Sequence, residues 1–252
     1  MNEAFESGKK LLSIYFTAGY PQLDDTRKVI LELAASGADM IEIGLPFSDP
    51  LADGPTIQES STRALQSGMH TDLLFEQLEG IREEVDIPLL IMGYFNPVLQ
   101  YGVERFCRKC QELGIDGLIL PDLPLAEYQL LYEETFKRYG LTNVFLITPQ
   151  TSEERIRQID EASDGFIYMV SSASTTGVQK GFGEGKQAYF DRIASMDLRN
   201  PTIVGFGIGD SESFRQATRQ ANGAIIGSAF IRMITSEGIP GIRPFVNSIL
   251  GS

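Results

Sequence analysis

The sequence predicts an α/β protein, a single-domain (β/α)8 barrel with a parallel eight-stranded sheet. Short apolar runs alternate with helix-like stretches along all 252 residues, a pattern typical of parallel sheets. The apolar runs contain few polar residues, as expected of strands that are covered on both faces. Glycine and aspartate cues such as Gly37-Ala38-Asp39 precede several runs and are typical of helix-to-strand turns. Eight such units favour a closed barrel over the alternative, an open sheet with a long insertion.

The elements follow from this alternation. The predicted strands are Leu12–Thr17, Met40–Leu45, Leu89–Met92, Gly117–Leu120, Asn143–Ile147, Phe166–Val170, Thr202–Val204 and Ala224–Ile226. The predicted helices are Leu23–Ser36, Ile57–Ser67, Asp72–Val85, Gly102–Leu113, Leu125–Arg138, Ser152–Glu161, Gln187–Met196, Ser211–Gln220 and Pro240–Ile249. In a barrel of this type, functional groups are expected on the loops after the carboxyl ends of the strands.

Composition narrows the class of protein. The chain is 42% hydrophobic and shows no break in composition, so residues 1–252 are predicted to form one domain. The first residues lack the basic segment and apolar core of a signal peptide, and no apolar run approaches the roughly 18–20 residues of a membrane span. A cytoplasmic location is therefore expected.

The net charge of −13 argues against nucleic acid and anionic membranes as partners. A phosphorylated ligand would not be attracted by the overall charge, so any phosphate site would have to be local. Cys107 and Cys110 form a CxxC in a helix-like segment, and the only histidine, His70, is distant in sequence. Because a zinc site needs further ligands, these cysteines are interpreted as structural thiols and no metal site is expected.

One carboxylate stands out inside a predicted strand. Ile41, Ile43 and Leu45 alternate onto one face, which leaves Glu42 and Gly44 on the other. Burying a carboxylate in a β-branched run is costly unless the group is paired or used. Glu42 is therefore the first candidate catalytic residue.

A second carboxylate, Asp53, follows the same strand in a loop stiffened by Pro46, Pro50 and Pro55. Two carboxylates at one end of one strand suit acid–base chemistry if their surroundings differ. Burial is expected to raise the pKa of Glu42, while loop exposure would let Asp53 stay ionised. The alternative for Asp53 is a helix N-cap before Gly54-Pro55.

Small residues dominate the loops after the last three strands. Backbone N–H groups in such loops can bind an anion without a lysine, and barrels of this type often hold phosphate after strands seven and eight. Gly207, Gly227 and Ser228 are the candidates, with Thr176 and Gly177 closing over them. Ordinary tight turns remain the alternative.

Three aromatic residues come from the ends of strands one and six and the loop after strand seven. Phe16, Tyr168 and Phe206 are predicted to line a flat, apolar pocket for an aromatic substrate. Ordinary core packing is the alternative for each residue.

These residues resemble a known family. The segment FSDPLADGPTIQ from Phe47 to Gln58, preceded by Glu42, is similar to the signature of tryptophan synthase alpha subunits. The similarity extends from Leu11 to Ile234. It also includes Thr17-Ala18-Gly19, Asn96-Pro97, Thr176-Gly177, Gly205-Phe206-Gly207-Ile208 and Gly227-Ser228-Ala229.

The resemblance implies a (β/α)8 barrel that cleaves indole-3-glycerol phosphate to indole and glyceraldehyde 3-phosphate. It implies no cofactor on this chain, with pyridoxal phosphate only on a beta subunit that receives indole in an α2β2 heterotetramer. Glu42 would shuttle the proton, and Asp53 would stabilise the indolenine. Tyr168 would lie near the indole ring, with Phe16 and Phe206 on either side of it. Gly177, Gly207, Gly227 and Ser228 would hold the phosphate.

The chain also departs from the family pattern at three positions, which are Ser172, Ser174 and Tyr20. These departures concern loop closure and partner contacts rather than the chemistry. Two other functions remain open at this stage. One is a regulatory partner that activates a beta subunit through the loop around Asp49–Asp53. The other is a sugar-phosphate epimerase, although the single His70 does not supply the metal-binding histidines usual there.

Overall fold

The computed structural model describes residues 3–51, 53–171 and 184–251. Its eight strands pair in sequence order, β1 to β8, and β8 pairs with β1, so the sheet closes. Every pairing is parallel. The predicted (β/α)8 barrel is confirmed.

The strands lie close to their predicted positions. They are β1 (Leu11–Thr17), β2 (Met40–Gly44), β3 (Leu89–Met92), β4 (Gly117–Ile119), β5 (Thr142–Ile147), β6 (Ile167–Val170), β7 (Thr202–Gly205) and β8 (Gly223–Ile226). Each predicted strand is confirmed, and each boundary differs by one residue at most.

The helices cover the outside of the barrel. They are α1 (Glu3–Glu6), α2 (Thr26–Ser36), α3 (Pro55–Gln66), α4 (Thr71–Leu78), α5 (Phe95–Tyr101), α6 (Val103–Glu112), α7 (Leu125–Glu127), α8 (Glu133–Arg138), α9 (Glu153–Ala162), α10 (Glu184–Ser195), α11 (Ser211–Ala217), α12 (Ser228–Glu237) and α13 (Ile242–Leu250). A π-helical turn, Tyr128–Tyr132, joins α7 to α8, and 3₁₀ turns occupy Leu23–Asp25, Ile81–Glu83 and Ile239–Gly241.

The helix prediction is wrong in four places. It did not include α1, and it extended the helix Asp72–Val85 beyond the end of α4 at Leu78. It missed α12, because the apolar residues of that helix follow β8 with only Gly227 between them. It also missed α5, which Gly102 separates from α6. Gly102 has a φ of 90°, a conformation that ends a helix and that glycine adopts at little cost.

Strand residues alternate between two apolar clusters. The barrel interior contains Tyr15, Met40, Leu90, Ile119, Val144, Phe166, Tyr168, Ile203 and Ile225. The outer cluster lies between the strands and the helices and includes Ile41, Ile43 and Leu45. The predicted phase of β2 is therefore confirmed, and Glu42 lies on the inner side.

Cys107 and Cys110 are free and buried in α6. Burial raises the pKa of the Cys107 thiol to about 12, so this thiol stays protonated at neutral pH. His70 is the N-cap of α4, where its Nδ1 accepts a hydrogen bond from the Leu73 N–H at 3.3 Å. Within the described ranges, no group of three or more His, Cys, Asp and Glu side chains is arranged to hold a metal. The same part of the chain contains no helix with the length and apolarity to cross a membrane.

Candidate active site

Glu42 lies in the barrel interior with no exposed surface. Its strand β2 pairs with β1, and Glu42 stands opposite Tyr15. The Ser13 hydroxyl donates a hydrogen bond of 3.0 Å to Glu42 Oε1. The other oxygen, Oε2, is buried and has no hydrogen-bond partner among the described residues. Burial raises the pKa of Glu42 to about 8, and the Ser13 hydrogen bond opposes this rise. Glu42 is therefore a protonated acid at neutral pH.

Asp53 lies where the loop after β2 meets α3. The N-cap of α3 is Gly54, which has no side chain to cap with, so the alternative of an Asp53 cap is wrong. The Asp53 carboxylate instead accepts a hydrogen bond of 3.2 Å from the Tyr94 hydroxyl. That hydroxyl in turn accepts one of 3.0 Å from the Leu51 N–H.

The surroundings of Asp53 differ from the expected open loop. The residue is half-buried, and burial raises its pKa, while the hydrogen bond from Tyr94 acts in the opposite direction. Glu42 is fully buried and accepts its hydrogen bond from Ser13, whereas Asp53 is half-buried and accepts its hydrogen bond from Tyr94. The two carboxylates thus occupy unlike environments, as acid–base chemistry requires.

Tyr15 and Tyr168 line the interior between these carboxylates. Burial raises the pKa of both phenols and the negative charge of Asp53 adds to the rise, so both remain neutral. Each ring packs against a glycine. A Cβ on Gly44 would lie 2.2 Å from the Tyr15 hydroxyl, and one on Gly205 would lie 2.2 Å from the Tyr168 hydroxyl. The two glycines therefore provide the space that the phenols occupy.

Phe206 borders the same space, whereas Phe16 does not. The Phe206 ring packs against Tyr168 with centroids 6.4 Å apart and an interplanar angle of 70°. Phe16 belongs to the outer cluster, on the helix side of β1. The prediction that Phe16 lines the pocket is corrected, because neighbouring strand residues point to opposite faces and Tyr15 takes the inner position.

The loops after β7 and β8 present backbone groups at the same end of the barrel. Phe206 and Gly207 have φ values of 73° and 77°, so the turn after β7 contains two consecutive residues with left-handed φ. The Ser171 hydroxyl donates a 2.6 Å hydrogen bond to the Phe206 carbonyl and fixes this turn. Gly227 is the N-cap of α12 and Ser228 its first residue, so the free N–H groups and positive dipole end of α12 lie beside them. Gly227 and Ser228 thus lie at a helix N-terminus, and Gly207 lies in the turn after β7.

Thr176 and Gly177 lie outside the described residues, as do Ser172 and Ser174. Sequence reasoning also missed Ser13, Tyr15 and Tyr94. The phase of β2 puts Glu42 inside, but the run LLSIYFT in β1 is buried along its whole length and does not reveal its own phase. The pairing of Tyr15 with Glu42 resolves it.

The comparisons with known proteins agree with this geometry. A family model described as tryptophan synthase alpha chain matches residues 1–240. The chain belongs to the tryptophan synthase alpha chain family. The alpha reaction of this family cleaves indole-3-glycerol phosphate, so the chain is a carbon–carbon lyase of tryptophan biosynthesis. Membership also implies a tryptophan synthase beta chain as partner.

Individual relatives span nearly the whole chain. The tryptophan synthase alpha chain of Christiangramia forsetii is 64% identical over 249 residues, which cover 99% of this chain and 97% of that protein. The tryptophan synthase alpha chain of Flavobacterium psychrophilum is likewise 64% identical, with coverages of 99% and 98%.

Solved structures show the same arrangement at lower identity. A chain of Mycobacterium tuberculosis tryptophan synthase superposes with a TM-score of 0.89 at 32% identity, covering 99% of this chain and 96% of that chain. The tryptophan synthase alpha chain of Legionella pneumophila superposes with a TM-score of 0.88 at 32% identity, with coverages of 98% and 94%. Tryptophan synthase alpha chains therefore share this barrel over almost their full length.

Proposed function

We propose that this chain cleaves indole-3-glycerol phosphate by a retro-aldol step in which Glu42 shuttles the proton and Asp53 stabilises the indolenine. The supporting observation is the pair of unlike carboxylates. Glu42 is an unexposed acid with a pKa raised to about 8, and its Oε2 has no hydrogen-bond partner among the described residues. Asp53 is half-buried and accepts a hydrogen bond from the Tyr94 hydroxyl.

In this step one carboxyl group, that of Glu42, both donates and accepts the proton. Glu42 donates its proton to C3 of the indole ring, which becomes a cationic indolenine whose N–H faces the Asp53 carboxylate. The Glu42 carboxylate then takes the proton of the glycerol hydroxyl next to C3. The carbon–carbon bond breaks, its electron pair returns to the ring, and indole and glyceraldehyde 3-phosphate form. Glu42 ends protonated as it began, and no other acid or base is needed.

The remaining residues bind the substrate. In this proposal the indole ring lies among Tyr15, Tyr168 and Phe206, with Tyr15 taking the place first given to Phe16. The phosphate lies against Gly207, Gly227 and Ser228, where the first N–H groups of α12 face it without a cation. Thr176 and Gly177 are expected to complete the phosphate site.

The proposal extends to the partner. Indole passes to a beta chain in an α2β2 heterotetramer, pyridoxal phosphate belongs to that beta chain, and the alpha chain itself uses no cofactor. One specific observation favours an additional activating role at a shared surface. The exposed large apolar side chains of the described residues all follow β2, β3 or β4, and they are Leu51, Leu99, Leu130 and Leu131. We name these four residues the leucine surface.

The segments that carry the leucine surface contact one another. The Leu51 N–H binds the Tyr94 hydroxyl at the end of β3, and the rings of Phe95 and Tyr132 lie 4.9 Å apart. Exposed apolar residues grouped in this way are typical of protein–protein interfaces. Because Asp53 also binds Tyr94, a partner on this surface would act close to the catalytic carboxylate.

The test is indole release from indole-3-glycerol phosphate by the purified chain, with and without a beta chain. Glu42→Gln is expected to lower kcat by at least about 10²-fold, since general acid–base groups contribute about 10²–10⁴-fold. Asp53→Asn should lower it by a similar factor, because the cation would lose its counter-charge.

The matched controls are Glu154→Gln and Asp72→Asn, which remove a carboxylate from the exposed surfaces of α9 and α4. Both should retain the activity of the parent chain. The residue roles are refuted if Glu42→Gln keeps its activity while remaining folded. The substrate assignment is refuted if the parent chain releases no indole in either condition.

A further inference from the structure

Ser13 is a buried polar residue beside the catalytic acid. It lies on the inner side of β1, has no exposed surface, and is two residues before Tyr15 along the strand. Its register partner on β2 is Met40, two residues before Glu42, so the Ser13 hydroxyl meets the Glu42 carboxyl along the strand pair. The 3.0 Å hydrogen bond is donated to Oε1 alone.

We propose that Ser13 is a positioning residue of the lyase reaction, which fixes Glu42 so that Oε2 is the oxygen that exchanges the proton with substrate. The inference rests on the proposed role of Glu42. A hydroxyl that donates to Oε1 makes Oε1 the carbonyl-type acceptor, and the acid proton is then carried by Oε2. Oε2 is the oxygen without a partner among the described residues, so it is the one free to reach indole C3.

The rest of the interior offers no substitute for this hydrogen bond. Apart from Thr142 in β5, the side chains that β3, β4, β5, β7 and β8 contribute to the interior are apolar, and they are Leu90, Met92, Ile119, Val144, Leu146, Ile203 and Ile225. Among the described residues, the other titratable groups at this end of the barrel are Tyr15 from β1, Asp53 from the loop after β2, Tyr94 after β3, and Tyr168 from β6. Among the described residues, only Ser13 has a recorded side-chain hydrogen bond to the Glu42 carboxyl.

The hydrogen bond also has an electrostatic consequence. A donor stabilises a carboxylate more than a neutral acid, because hydrogen bonds to charged groups are the stronger ones. Ser13 therefore opposes the effect of burial and holds the pKa of Glu42 nearer to neutral pH. A proton shuttle works best when its pKa lies near the working pH, since it must both donate and accept.

The experiment compares the pH dependence of kcat for Ser13→Ala, Ser13→Cys and Ser13→Thr with that of the parent chain. Loss of the donor in Ser13→Ala should lower kcat by about tenfold and move the alkaline limb upward by about one pH unit. KM should change less than kcat, because Ser13 touches Glu42 and not the substrate. Ser13→Thr keeps the hydroxyl and should restore both properties, whereas the weaker donor of Ser13→Cys should give an intermediate limb.

The matched control is Ser163→Ala, which removes another buried serine hydroxyl at the C-cap of α9, where it donates to the Ile159 carbonyl at 2.7 Å. It should leave the pH profile unchanged. A second readout is independent of turnover. The infrared band of the protonated Glu42 carboxyl is assigned by its absence in Glu42→Gln. It is then titrated with pH in the parent chain and in Ser13→Cys, and the titration midpoint should be higher in Ser13→Cys.

The inference is overturned if Ser13→Ala keeps the kcat and the alkaline limb of the parent chain, or if the infrared midpoint does not move. Failure of the underlying function has a different signature, in which Glu42→Gln retains activity or the parent chain releases no indole.

Discussion

At the residue scale, the burial of Glu42 lowers stability and also supports its proposed catalytic role. Its position on the inner side of β2 removes it from water completely. One hydrogen bond, donated by Ser13, replaces part of its hydration. The raised pKa means that the folded chain holds a proton there at pH 7 that the unfolded chain would release. The same property that makes Glu42 a usable acid therefore reduces stability at neutral pH.

The pH dependence of stability follows from that pKa. Between the ordinary value of 4.5 and the folded value of about 8, unfolding releases the Glu42 proton, so the free energy of unfolding falls as pH rises through this window. Glu42→Gln removes this contribution. The free energy of unfolding of Glu42→Gln, taken relative to that of the parent chain, should therefore rise by about 1–3 kcal/mol from pH 5 to pH 8.

The measurement is urea unfolding at several pH values, with Glu154→Gln on the exposed surface of α9 as the control. The control should follow the parent chain throughout. A constant difference between Glu42→Gln and the parent from pH 5 to pH 8 would show that Glu42 is already ionised in the folded protein.

At the scale of elements, the phase of β1 determines which aromatic side chain can contact substrate. All seven residues of β1 are buried, because one face packs on the interior and the other on the helices. The apolar pattern of β1 therefore does not show whether Tyr15 or Phe16 points into the barrel. The register of β1 on β2 shows that it is Tyr15, because Tyr15 stands opposite Glu42 and both side chains point inward.

Gly44 of β2 leaves the space that the Tyr15 side chain of β1 occupies. A Cβ at this position would lie 2.2 Å from the phenol oxygen, so Gly44→Ala forces the Tyr15 ring to move within a packed interior. We expect a loss of about 1–3 kcal/mol in the free energy of unfolding and reduced indole release. The measurement is urea unfolding together with the indole assay.

Gly185→Ala is the matched control, because Gly185 lies in α10, is exposed, and has no atom within 4 Å of an added Cβ. This change should be neutral or add up to about 1 kcal/mol, since alanine favours a helix more than glycine does. Equal stability of Gly44→Ala and the parent chain would contradict the packing of Tyr15 against Gly44.

At the scale of the whole molecule, the chemistry lies at the carboxyl ends of the strands and the leucine surface lies beside it. β2, β3 and β4 supply both the Asp53–Tyr94 contact and the exposed leucines. The net charge of −13 keeps other acidic surfaces away, so apolar contact is the attraction that this region offers a partner. The proposed catalytic carboxylate and the proposed docking surface are thus neighbours in one sector of the barrel.

Leu130 is 80% exposed, and Leu130→Asp should weaken binding to a beta chain while leaving the barrel intact. We expect Kd to rise at least tenfold, because a charge would enter an apolar contact, with unchanged Tm and unchanged indole release by the isolated chain. The measurement is calorimetric titration with a tryptophan synthase beta chain that binds the parent chain.

Ser248→Asp on α13 is the control, since it adds the same charge on an exposed helix beside α2, away from the leucine surface. It should bind with the parent's Kd. If Leu130→Asp also binds with the parent's Kd, the leucine surface is not where the beta chain docks.

The sequence by itself determined the barrel, because strand and helix periods repeat eight times and each period reflects local burial. It also singled out Glu42 as a candidate, since a carboxylate amid β-branched residues is conspicuous, and it predicted site roles for Asp53, Gly207, Gly227 and Ser228 from their places after strands. The tertiary structure alone decided which face of β1 is inward, and so replaced Phe16 with Tyr15. It alone brought Ser13 to Glu42 and Tyr94 to Asp53, because both contacts join residues that are 29 and 41 positions apart. Such contacts depend on strand register and barrel closure, which local sequence patterns do not encode.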